Sequence, residues 1–184
     1  MKKEDIITLP HPHLRQRSQK VGIITPEIKQ ITHDMEAATI DWEASREHEV
    51  GVALAAVQVN LMYRIVVVRN DFNNKDDRSF SVFINPQITK YEGDIEEDFE
   101  GCLSIKDVYG KVPRHTKVRV KATDAEGKEV RVTAEGFLAR IFHFNFTVRF
   151  FYISISSPLP FCFLSLSGPR TSYNHSLLNA MVTR

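Results

Sequence analysis

Apolar residues recur at three- and four-residue intervals at Ile28, Ile31, Met35, Ala38 and Trp42. That spacing lines one face of a helix, so the stripe predicts a helix over about residues 26–45 whose apolar face is core packing. Pro26 suits a first helical turn, and Thr25 before it is a fitting cap. Upstream, Ile6-Ile7-Thr8-Leu9-Pro10-His11-Pro12 reads as an extended segment stiffened by proline. Downstream the period changes. Tyr63-Arg64-Ile65-Val66-Val67-Val68 and Phe80-Ser81-Val82-Phe83-Ile84-Asn85 are rich in β-branched residues and read as strands, the second closed by Asn85-Pro86. Lys117-Val118-Arg119-Val120-Lys121-Ala122 and Val130-Arg131-Val132-Thr133 alternate about the turn Asp124-Ala125-Glu126-Gly127-Lys128. They predict an antiparallel hairpin with one wet face. Over 135–142 the spacing of Phe137, Leu138 and Ile141 is helical again. Helix, strands, then helix is the order of an α+β fold: antiparallel strands packed around a C-terminal helix, with a long N-terminal helix.

The pattern breaks near residue 142. Of the 24 basic residues only Arg149, Arg170 and Arg184 follow Ile141, and none of the 23 acidic ones does. Phe142, Phe144, Phe146, Phe150, Phe151, Phe161 and Phe163 crowd this stretch, with Ser154, Ser156, Ser157, Ser165 and Ser167. Residues 150–167 carry no charge, yet Pro158, Pro160 and the Ile153-Ser154-Ile155-Ser156 alternation suit a strand better than a membrane-spanning helix. A membrane role is disfavoured, and the tail is expected to be disordered or aggregation-prone. Two units are therefore expected, an incomplete domain over 1–142 and a Phe/Ser-rich tail over 143–184.

A chain of 184 residues with 42% hydrophobic and 26% charged content is one ordinary globular domain. A net charge of +1 gives no direct signal for nucleic acid. Cys102 and Cys162 stand too far apart to suggest a disulfide framework. Glu4 and Asp5 follow Met1-Lys2-Lys3 with no apolar run, which is not the pattern of a secretory signal.

Three short strings carry chemistry: Gly51-Val52-Ala53-Leu54-Ala55-Ala56-Val57-Gln58, Glu100-Gly101-Cys102-Leu103-Ser104 and Glu135-Gly136-Phe137-Leu138-Ala139-Arg140. Taken singly, Cys102 reads as a small buried hydrophobe, Gln58 as a surface amide, and Glu100 with Arg114 as a surface ion pair contributing ~0–1 kcal/mol. Together, in this order and spacing, they resemble the peptide deformylases over about residues 6–142, and Pro10-His11-Pro12 with Leu14-Arg15 resembles that family's opening. The resemblance implies hydrolytic removal of the N-formyl group from the initiator methionine of nascent chains near the ribosome. It implies a bacterial cytoplasmic or organellar setting, and it leaves the oligomeric state open.

Position by position, the resemblance implies that Cys102 is a ligand of Fe2+, replaceable by Zn2+, Ni2+ or Co2+. Gln58 and the backbone N–H of Leu103 would be oxyanion donors. Val52 and Gly101 would pair with an extended peptide, Gly51 permitting close approach, and Leu138 and Ile141 would line the methionine pocket. Glu100 and Arg114 would be an ion pair steadying the cysteine loop. The chemistry is coherent: a formamide is a poor electrophile and needs a hydroxide made at neutral pH, with preplaced donors for the oxyanion.

This chain departs from the family pattern twice. Ala53 stands in place of a second glycine, a cost of about 1–2 kcal/mol if the position needs positive φ. The expected His-Glu-x-x-His is missing, with Phe144 and Val148 at its ligand positions and Asn145 at its acid/base position. His143 is one residue early, about 100° around a helix, so its ring is expected to point elsewhere. One thiolate does not hold a catalytic metal, which takes about three protein ligands. The chain is therefore expected to be inactive, the alternative being a catalytically dead peptide-binding module. The economical expectation is that residues past 142 come from another reading frame or a retained noncoding segment, with a true pseudoenzyme as the competing account.

Overall fold

The first long helix forms where its stripe and cap predict. The computed structural model describes residues 1–47 and 49–147, with side chains for all of these except 106, 107, 146 and 147. Helix α1 runs Pro26–Ala44, and the Thr25 hydroxyl accepts a hydrogen bond from the Ile28 N–H at 3.4 Å. Ile28, Ile31, Met35, Ala38 and Trp42 are all buried.

The strands β1 (Ala53–Ala55), β2 (Ile65–Arg69), β3 (Phe80–Cys102), β4 (Ile105–Thr123) and β5 (Glu129–Glu135) form one antiparallel sheet in chain order. Alternation along the inner strands divides two cores. Ile65, Val67, Leu54 and Ile84 pack with the α1 stripe, whereas Val66, Val68, Phe83, Val118, Val120 and Val132 face the other way. That second face is covered by helix α2 (Gly136–Thr147), through Phe137, Leu138, Ile141, Phe142 and Phe144. The sheet is thus a layer between two helices, and the expected 117–133 hairpin is present as β4–β5.

Two strand features differ from the sequence reading. The second strand does not close at Asn85-Pro86, because the chain passes through a register shift between Ile84 and Gln87 with Asn85 at φ 51°. A bulge absorbs the missing proline N–H, and asparagine tolerates the left-handed region. The Asn85 amide is also used, exchanging bonds with the Val21 N–H at 2.9 Å and the Val21 carbonyl at 2.8 Å. Beyond it, β3 and β4 continue as a long hairpin that projects past β2 and β5, ending in the turn at Leu103 and Ser104.

Glycine is required at the corner between β5 and α2. Gly136 has φ 56°, which lets the chain enter α2 with no connecting loop. The helix then runs unbroken through His143 to Thr147. The expectations for the rest of the Phe/Ser-rich tail, strand, disorder or aggregation, fall on 148–184 and lie outside the described residues. Among the described residues no helix is long and apolar enough to cross a membrane.

Candidate active site

Cys102 ends β3, and the turn that follows folds back on it, the Ser104 N–H donating to Cys102 Sγ at 3.3 Å. A buried 3-10 turn over Ala56–Val59 carries Gln58 to the same place. Gln58 is 0% exposed: its Oε1 accepts from the Ala55 N–H at 2.8 Å, and its Nε2 donates to Ser104 Oγ at 3.2 Å. Two strings 46 positions apart thus meet through one side-chain hydrogen bond. The N-terminal segment laces both, with the Ile7 N–H on the Gln58 carbonyl at 2.8 Å and the Leu9 N–H on the Ser104 carbonyl at 3.0 Å.

The other expected positions lie on both faces of the sheet. Val52, Leu138 and Ile141 belong to the core under α2, with Cys102 packed at its edge. Gly101 pairs with Tyr109 across the β3–β4 hairpin, and the Leu103 side chain packs in the α1-side core. At Gly51, a Cβ would meet Thr39 Cγ2 at 2.7 Å and Thr39 O at 2.9 Å. The neighbour whose close approach this glycine permits is therefore α1. Ala53 is paired with Val68 in β1 and is not among the residues at positive φ, so the strain considered for a Cβ there is absent.

Glu100 is completely buried and bonded on both sides. Arg114 meets it through Nε at 3.1 Å and Nη2 at 2.9 Å, and Arg140 of α2 reaches it through Nη1 at 3.0 Å. Arg140 also donates to the Val112 carbonyl at 2.9 Å and to the Glu96 carbonyl. The expected pair is thus a buried triad that joins the cysteine strand to α2. Arg140 stands in the third string, and nothing in its spacing signals that it reaches Glu100.

The donor set does not fit the metal that the resemblance implies. On α2, Phe144 lies in the apolar core and Asn145 is turned back on its own helix, its Nδ2 donating to the Ile141 carbonyl at 2.7 Å. Asn145 Oδ1 is buried without a hydrogen-bond partner among the described residues. Val148 lies outside the described residues. Among the described residues no three His, Cys, Asp or Glu side chains are gathered to hold a metal ion. His143 packs against Tyr91 at 5.1 Å and stacks on His115 at 6.0 Å and 9°.

Burial lowers the His143 pKa to about 4, assisted by the nearby Arg114, His115 and Arg140 charges and opposed by a hydrogen bond with the His115 backbone. Because the folded value lies below the ordinary 6.5, the unfolded chain binds the extra proton first. Protonation of His143 therefore leaves stability untouched above about pH 6.5 and has its full destabilising effect below about pH 4. Urea midpoints of the parent should fall more steeply across that window than those of His143→Phe; parallel slopes would contradict it.

Comparison with known proteins agrees with the geometry. The model of the polypeptide deformylase family matches residues 3–145. A peptide deformylase of Thermomicrobium roseum is 38% identical over 139 residues, 74% of this chain and 74% of that protein. Among solved structures, a peptide deformylase from Legionella pneumophila superposes with a TM-score of 0.70 at 31% identity, covering 83% of this chain and 85% of that one. One from Synechococcus elongatus, solved in complex with actinonin, gives 0.69 at 30% identity over 80% and 74% of the two chains. Sequence, fold and the meeting of the Gln58 and Cys102 strings concur: the chain belongs to the polypeptide deformylase family.

Proposed function

We propose that this chain is a deformylase-family domain without deformylase activity, which keeps the peptide-binding side of the family's site. The observation that carries this reading is the pair Phe144 and Asn145 on α2, one packed in the core and the other bonded to Ile141. Neither side chain donates a lone pair to a metal as imidazole does, nor exchanges a proton near neutrality as carboxylate does. Cys102 supplies at most one sulfur ligand, and a catalytic metal takes about three protein ligands. In support of peptide binding, Val52, Leu138 and Ile141 share one apolar core with Cys102 at its edge, and Gln58 bonds to Ser104 of the Cys102 turn. The ligand class is an extended peptide beginning with methionine or formyl-methionine, held by main-chain pairing with its first side chain among apolar residues.

Calorimetry with formyl-Met-Ala-Ser in the presence of a chelator tests the binding half. Heat of binding that is the same with and without chelator is expected; no heat would remove it. Metal analysis of the purified chain tests the other half, with occupancy well below one ion per chain expected. One ion per chain, its shell including Cys102, would overturn the reading.

A further inference from the structure

Arg69 is the largest fully buried side chain of the described residues, and no part of the reading above uses it. It ends the apolar strand β2, where a guanidinium without partners would be very costly. Its partners lie on α1, on the Gly51–Val52 segment and in the loop between β2 and β3. Nη2 meets Glu43 Oε2 of α1 at 2.8 Å, and the same oxygen accepts the Gly51 N–H at 2.9 Å. Nε donates to the Gly51 carbonyl at 3.1 Å, and the Arg69 backbone N–H donates to the Val52 carbonyl at 2.9 Å. Nη1 binds the Asp77 carbonyl at 2.6 Å, and Lys75 from the same loop donates to the Arg46 and Glu47 carbonyls, each at 3.1 Å. Burial draws the Arg69 pKa down while Glu43, Asp77 and Asp71 counter it, so the carboxylates are what make this burial tolerable.

We propose that Glu43 and Arg69 are positioning residues that clamp the Gly51–Val52 segment from behind. The clamp takes up both main-chain polar groups of Gly51 and the carbonyl of Val52, and it ties the α1–β1 connection to the β2–β3 loop. It rests on the peptide-binding reading only in that this segment is the one expected to meet the peptide. The physical logic is preorganisation: a segment already fixed in place loses less freedom when a peptide pairs with it. A merely adjacent ion pair would not share one carboxylate oxygen between the guanidinium and the very amide to be fixed.

The experiment uses the full chain and two readouts, amide hydrogen exchange at Gly51 and the Kd for formyl-Met-Ala-Ser. In Glu43→Ala and Arg69→Met, the Gly51 amide should exchange at least about tenfold faster while the β4–β5 amides keep their protection. Glu43→Gln keeps an acceptor for the Gly51 N–H but loses the charge facing Arg69, so overall stability should fall in it as in Glu43→Ala. Its Gly51 amide should still exchange more slowly than in Glu43→Ala, which a general loss of stability alone would not produce. The Kd should weaken about tenfold in the first two variants and by less in the third. Unchanged Gly51 exchange in either disruptive variant overturns the clamp. If Arg69→Met does not fold, Arg69→Lys, with the charge but not the fork, is read the same way. Loss of Gly51 protection in a chain whose parent binds no peptide supports the clamp and removes the peptide reading. Peptide binding with unchanged Gly51 exchange does the reverse.

Discussion

Loaded anaerobically with ferrous iron, or with nickel, the protein is expected to turn over formyl-Met-Ala-Ser at least about 10³-fold more slowly than an intact deformylase under the same conditions. The size follows from what α2 lacks. A positioned acid/base group contributes roughly 10²–10⁴ on its own, and Asn145 cannot replace one. Hydroxide at neutral pH needs a bound metal with an open position, and among the described residues no three His, Cys, Asp or Glu side chains gather to hold one. Gln58 and the Leu103 N–H, the expected oxyanion donors, can at most stabilise charge that no nucleophile generates. Kinetics on metal-loaded protein check this directly, and turnover within tenfold of the intact enzyme would refute it.

The second large effect concerns stability. Glu100→Gln is expected to lose about 3–5 kcal/mol of unfolding free energy, because two guanidiniums are left facing a neutral amide in a buried site. Arg114 and Arg140 are mostly buried at this carboxylate, and water cannot readily replace it. Arg140→Met should cost less, since Glu100 keeps its two-pronged contact with Arg114. Urea unfolding followed by circular dichroism measures both. A Glu100→Gln protein within 1 kcal/mol of its parent would mean that the triad does not hold α2 to the cysteine strand.

Much of this architecture was legible in the residues, and the exceptions have physical causes. The α1 stripe and the β4–β5 alternation each bury one face, so their periods are clean. The outer part of the β3–β4 hairpin carries no strand signal because much of it is wet. Glu92, Asp94, Glu96, Glu97 and Asp98 interrupt any apolar alternation, and Ile95 and Phe99 are exposed. Asn85-Pro86 looked like a stop because a bulge leaves no apolar signature.

At the site, Cys102 and Gln58 were legible through linear strings. The Ser104 bridge between them was not, since a hydroxyl can bond in many directions. Arg140 and Arg69 were hidden for a related reason. Buried arginines find their carboxylates across 40 and 26 positions, a distance that no local period reports.

The sheet's neighbour-to-neighbour order has a consequence for biosynthesis. Every strand pairs with the one made just before it, so each hairpin can zip as soon as its second half leaves the exit tunnel. The face carrying Val66, Val68, Val118 and Val120 has no such early cover, because its lid, α2, is synthesised after all five strands. During elongation that greasy surface stays bare longest, which makes it the natural target for chaperone capture.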